Sequence, residues 1–125
     1  IKGSVLWRGI AGYSLAGLFA LYSLYQTDLF SRAASMSGSL WYPGITEYIS
    51  SHTMKKVPDC LYFSLGNKEA RTRNTYMKTV QENTEKIEEY YRGKGISTVF
   101  QLNPGNHYKD AEKRTAAGIH WLLDR

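Results

Sequence analysis

The sequence predicts an α/β domain: a parallel sheet of about four strands with flanking helices. Two observations carry this expectation. Short apolar runs alternate with helical stretches along the whole chain, which is the order that parallel strands joined by crossover helices require. The run Cys60-Leu61-Tyr62-Phe63-Ser64-Leu65 is apolar almost throughout, as expected of a strand covered on both faces. The 125 residues leave room for one domain and hardly more, so residues 1–125 are read as a single unit.

The elements follow in order. A short apolar strand is expected from near Val5 to Gly12. Leu15 to Gln26 is apolar nearly all round and reads as a buried helix. Ala33 to Ser37 is a second strand, and Leu40 to Gly44, with Pro43, is a loop. Thr46 to Thr53 reads as a short helix. The apolar run from Cys60 is the third strand. A long amphipathic helix is expected from Thr72 to Arg92. Tyr76, Val80, Ile87 and Tyr91 recur along it at helical spacing, and Gly93 and Gly95 end it. Glu82 and Lys86 stand four apart on it in the favourable order. Ile96 to Leu102 is the last strand, broken by Pro104-Gly105-Asn106, and Lys109 to Asp124 is the final helix.

Composition excludes several functions. Hydrophobic residues are 42% and charged residues 22%, which argues against disorder. The longest near-apolar stretch, Leu15 to Tyr25, is too short to span a bilayer. One cysteine, Cys60, allows neither an internal disulfide nor a cysteine-based metal site. The net charge of +5 comes from residues of mixed sign, and no nucleic-acid motif accompanies it, so a nucleic-acid partner is not expected. There is no Gly-rich phosphate cradle or P-loop lysine of a nucleotide-binding sheet. The chain shows no signal peptide and does not begin with Met, so the expectation is either that an N-terminal portion has been removed or that this is an excised piece. The unpaired cysteine and missing signal lean toward the cytoplasm.

Function in parallel sheets collects at the carboxyl ends of strands, and three residues sit there. Ser14, in Gly12-Tyr13-Ser14-Leu15-Ala16-Gly17, lies on a tight turn between strand and helix. Such a turn lifts a serine clear of the sheet and needs small neighbours. The N–H of Leu15 then points from the helix start toward a developing oxyanion. The alternative role for Ser14 is a helix cap. His107 follows the last strand, where an imidazole can reach a nucleophile. Glu69, in Leu65-Gly66-Asn67-Lys68-Glu69, follows the third strand and can orient a histidine. Its alternative is a surface pairing with Lys68, Arg71 or Arg73. His52, His120, Asp59 and Asp110 fall at strand starts or on helices. Cys60 lies inside an apolar strand, where burial raises a thiol pKa.

Four ordered segments carry a resemblance: the turn around Ser14, Ser35-Met36-Ser37-Gly38-Ser39-Leu40-Trp41, Leu65 to Glu69, and Gly105-Asn106-His107-Tyr108. Together they resemble the carboxyl half of the esterase family that includes enterochelin (ferric-siderophore) esterases and S-formylglutathione hydrolase, within the α/β-hydrolase superfamily. Ala16 departs from the usual glycine of that family's turn. The resemblance implies a carboxylic ester hydrolase, of siderophore or thioester type, with Ser14 as nucleophile, Glu69 as acid and His107 as base. It implies Leu15 in the oxyanion hole, Tyr13 and Trp41 against substrate, and no metal or organic cofactor. It also implies that residues 1–125 supply only the last four strands of the fold. The loop bearing the second oxyanion donor would then lie elsewhere, and Ile1 to Trp7 cannot replace it. Weak activity is therefore expected of the chain by itself. The rival expectation is an inactive, truncated hydrolase that self-associates, or pairs with an N-terminal half, through the strand near Val5 to Ala11. The cluster Lys68, Arg71 and Arg73 is placed to steer an anionic ester.

Overall fold

Cys60–Gly66 forms β3, and all seven of its residues are buried. The computed structural model describes residues 3–125. Ile1 and Lys2 lie outside the described residues. The other strands are β1 (Gly9–Tyr13), β2 (Arg32–Met36) and β4 (Ser97–Asn103), and the helices are α1 (Leu15–Gln26), α2 (Ile45–Ser51), α3 (Val80–Gly93) and α4 (Ala111–Leu123). The sheet runs β1-β2-β3-β4, and every pairing is parallel. Parallel neighbours in chain order demand a crossover between each pair, and the helices supply them.

Side chains on a strand alternate between the two faces, and here both faces are covered. Leu61 and Phe63 point into one core with Leu21, Leu24 and Tyr25 of α1, Ile49 of α2, and Ile87 and Tyr91 of α3. Cys60 and Tyr62 point the other way, with Ala34, Met36 and Leu122 of α4. Each fully buried Leu or Phe contributes about 1.5–3 kcal/mol, so β3, walled on both sides, anchors the sheet. Burial pushes the Cys60 thiol up, which keeps it an inert core side chain.

Three expectations change. The first strand begins at Gly9, not near Val5, because β2 offers partners only from Arg32, which pairs Gly9. Ahead of it, Trp7 stacks on the Arg32 guanidinium at 4.0 Å, and the Arg8 carbonyl accepts from Ser31 N–H. The helix expected from Thr72 begins at Val80, after a single 3₁₀ turn, Met77–Thr79. The Thr72 hydroxyl accepts from Asn74 N–H, and the Asn74 side-chain oxygen accepts from Tyr76 and Met77 N–H. These local bonds compete with the helical ladder. Glu82 and Lys86 do pair, at 3.0 Å. The third change concerns α1, which is buried on one side only. Leu15 is 66% exposed and Phe19 59%. An all-round apolar helix leaves composition unable to say which side is covered.

Candidate active site

Ser14 joins β1 to α1 with φ 61° and ψ −124°, a backbone that non-glycine residues adopt at a cost of about 1–3 kcal/mol. The surroundings enforce it. Ser14 N–H donates to Met36 O at 3.0 Å, and Ser14 O accepts from Gly17 and Leu18 in α1 and from Ser39 beyond β2. The turn closes tightly enough that a Cβ on Gly12 would lie 2.1 Å from the Ala16 carbonyl oxygen. The tight approach is made at Gly12, so the turn accommodates a side chain at Ala16. The Leu15 N–H, at the start of α1, makes no hydrogen bond among the described residues.

The loops that carry Glu69 and His107 are laced together. Asn67 N–H donates to Asn103 O, Lys68 N–H to Gly105 O, and Gly105 N–H to the Asn67 side chain. A Cβ on Gly66 would lie 2.4 Å from Gly105 O, so this lacing requires glycine. Beyond it, the Asn106 side chain accepts from Tyr108 and Lys109 N–H, which turns the chain and points His107 inward.

The result is a continuous hydrogen-bonded chain. His107 Nε2 lies 2.9 Å from Ser14 Oγ, and His107 Nδ1 lies 2.6 Å from Glu69 Oε1. A neutral imidazole fits this arrangement with Nδ1–H donating to Glu69 and Nε2 accepting from the Ser14 hydroxyl. The other carboxylate oxygen of Glu69 accepts from Gly66 N–H at 2.6 Å and from Ser37 Oγ–H at 2.7 Å. Burial raises the Glu69 pKa, but the hydrogen bonds from His107, Gly66 and Ser37 outweigh it and hold the carboxyl below its usual range. Ionised Glu69 thus stabilises the fold above its ordinary pKa, and that contribution is lost as pH falls through the depressed value. A cavity of about 160 Å³ opens onto Ser14 and His107, with Trp41, Met77, Val80 and Tyr108 around it.

The structure brings Ser14, Glu69 and His107 together at the exits of three different strands. Trp41 lines their cavity. Tyr13 lies behind His107 instead, with its hydroxyl donating to the His107 carbonyl. Lys68, Arg71 and Arg73 are exposed on the loop beyond β3. His52 stacks on Tyr48, His120 pairs with Asp124 on the surface, and Asp110 precedes α4 without a side-chain capping bond. Two contributors escaped sequence reading. Ser37, with φ 46°, bonds Glu69. Arg114, buried in α4, approaches the same Glu69 oxygen. Its sequence signal was its spacing, since Arg114, Gly118 and Leu122 form the buried stripe of α4.

No protein-family model matches the chain. A Bacillus subtilis protein, the uncharacterized YbbA, is 25% identical over 124 residues, which cover 94% of this chain and 50% of that one. Among solved structures, the siderophore hydrolase EstA from Aspergillus nidulans superimposes with a TM-score of 0.70 at 20% identity, over 94% of this chain and 48% of its own. The enterobactin esterase FES from Shigella flexneri does so with a TM-score of 0.68 at 18% identity, over 93% of this chain and 31% of its own. The chain thus spans half the length of the curated relative it matches and a smaller share of the solved ones. The solved proteins belong to the group that the four motifs resemble. At these identities the likeness establishes architecture: this chain shares the α/β-hydrolase fold of these proteins over part of their length.

Proposed function

We propose that this chain carries the nucleophilic centre of a serine hydrolase that cleaves carboxylic esters, of the siderophore or thioester type. The observation that supports this reading most is the bonded series from Ser14 through His107 to Glu69 at the strand exits. His107 takes the proton of Ser14 as its oxygen attacks the ester carbonyl. The tetrahedral oxyanion forms against the Leu15 N–H. His107 returns the proton to the leaving alcohol or thiol, and water then releases the acyl group from Ser14 by the same steps in reverse roles. Glu69 holds the imidazole tautomer and stabilises the imidazolium. Trp41 borders the substrate, and Tyr13 acts from behind through His107. With the Leu15 N–H as the single donor assigned, turnover by the 125 residues alone is expected to be weak, since one missing donor costs on the order of 10²- to 10³-fold.

A fluorophosphonate probe tests the nucleophile. The protein is expected to label, and Ser14→Ala to abolish labelling. Equal labelling of the two would sink the assignment.

A second reading, an inactive module that associates with another chain, is favoured by one feature. The outer edge of β1 pairs with no described strand. Between α1 and the start of α2, Leu15, Phe19, Tyr22 and Tyr42 line an apolar groove of about 430 Å³, larger than the cavity at Ser14. Free edges and apolar patches invite a partner. A second copy of this chain, or an N-terminal half, would cover both. Light scattering is expected to find a dimer or larger species of the isolated chain, and a monodisperse monomer counts against it.

A further inference from the structure

We infer that Arg114 is a positioning residue that holds Glu69 and the His107 loop in place across the exits of all four strands. The inference rests on the serine-hydrolase reading above. Arg114 enters from α4 and is 3% exposed. Its guanidinium lies 3.4 Å from Tyr13 Oη at the end of β1, and 3.3 Å from Ser37 Oγ just beyond β2. It lies 3.4 Å from Glu69 Oε2 beyond β3, and 3.1 Å from Pro104 O beyond β4. No other side chain named at the site reaches all four exits.

The partners are not arbitrary. Ser37 donates to the same Glu69 oxygen that Arg114 approaches. Tyr13 donates to the carbonyl of His107 itself. Pro104 stands three residues before His107, in the segment that crosses Gly66. The four contacts therefore join the acid, the serine that fixes it, the tyrosine that holds the His107 carbonyl and the loop that delivers the base. A buried guanidinium is costly unless bonded. Its planar fork can serve acceptors in several directions at once, which a lysine ammonium on a flexible stem cannot do at these positions. The Arg114–Glu69 contact is long for an ion pair, so the bridging of strand exits, more than charge pairing, is what this side chain provides.

Two variants and two readouts test the inference. Arg114→Lys keeps a buried cation without the fork, and Arg114→Met keeps the bulk without the charge. The first readout is the low-field proton resonance of His107 Nδ1–H donating to Glu69, assigned by its loss in His107→Gln. It reports geometry and needs no turnover. The second is the rate of fluorophosphonate labelling at Ser14. In folded Arg114→Lys the resonance is expected to vanish and labelling to slow by about 10²-fold, the scale of small misplacements of a reacting group. Arg125→Lys, at the chain end, should leave both unchanged. A folded Arg114→Lys protein with the resonance and labelling rate intact overturns the inference. So does an unaltered protein that lacks the resonance. If neither Arg114 variant folds, the residue is a structural element of the core and the inference is likewise overturned. If the unaltered protein shows the resonance but never labels at Ser14, the hydrolase reading fails while the resonance still decides Arg114.

Discussion

Replacing His107 by alanine is expected to slow phosphonylation of Ser14 by on the order of 10⁴-fold. The serine hydroxyl is a poor nucleophile at neutral pH and depends on a base that takes its proton as the new bond forms. His107 Nε2 stands 2.9 Å from Ser14 Oγ, within reach for that transfer, and Nδ1 is engaged by Glu69 at 2.6 Å. Among the described residues no other imidazole approaches Ser14, since His52 stacks on Tyr48 and His120 pairs with Asp124. The fold should tolerate the change, because the His107 side chain is 29% exposed and its loop is held by bonds that do not involve the imidazole, among them Lys68 N–H to Gly105 O, Arg114 to Pro104 O and the Tyr13 hydroxyl to His107 O. Stopped-time labelling with a fluorophosphonate, beside circular dichroism for the fold, measures the effect. A fall of less than about 10²-fold, the low end for general-base catalysis, would show that Ser14 is activated by something else.

Gly12→Ala is expected to destabilise the protein by about 3 kcal/mol or more, beyond the ordinary cost of an extra methyl in a packed site. The added Cβ would lie 2.1 Å from the Ala16 carbonyl oxygen and 2.3 Å from its carbon. Both are backbone atoms of the first turn of α1, which cannot swing aside as a side chain could. The turn must open, and Ser14 then leaves its strained backbone and its place opposite His107. Urea unfolding checks the stability change, and fluorophosphonate labelling of the folded fraction checks the displaced serine. Gly93→Ala is the control. A Cβ at Gly93, the last residue of α3, meets nothing within 4 Å, and alanine favours the helix. Its urea midpoint should stay level or rise. Equal midpoints for Gly12→Ala and the unaltered protein would remove the steric account of the elbow.

Legibility in the sequence followed the range of the forces involved. The apolar run from Cys60 reads as a two-faced buried strand because its neighbours on both sides must be apolar whatever they are. The Thr72–Tyr76 segment misread as helix because its periodicity is real, while the competing bonds of Thr72 and Asn74 depend on side chains only two or three residues away. The extended start at Val5 misread for a different reason: a strand needs a partner, and the partner is set by where β2 begins.

By itself, the sequence determined the alternation of strands and helices, and the placing of Ser14, Glu69 and His107 just past strands, in that order. Those properties depend on local patterns: apolar runs, glycines, and turn residues. Only the tertiary structure decided that the three side chains meet, 93 residues apart between Ser14 and His107. It also decided that one side of α1 stays bare and that Arg114 spans the four strand exits. A buried arginine is identified by what surrounds it, and its surroundings come from β1, β2, β3 and β4 at once. No local pattern encodes such a meeting point. It exists only after burial of the two faces of β3 has set the sheet order.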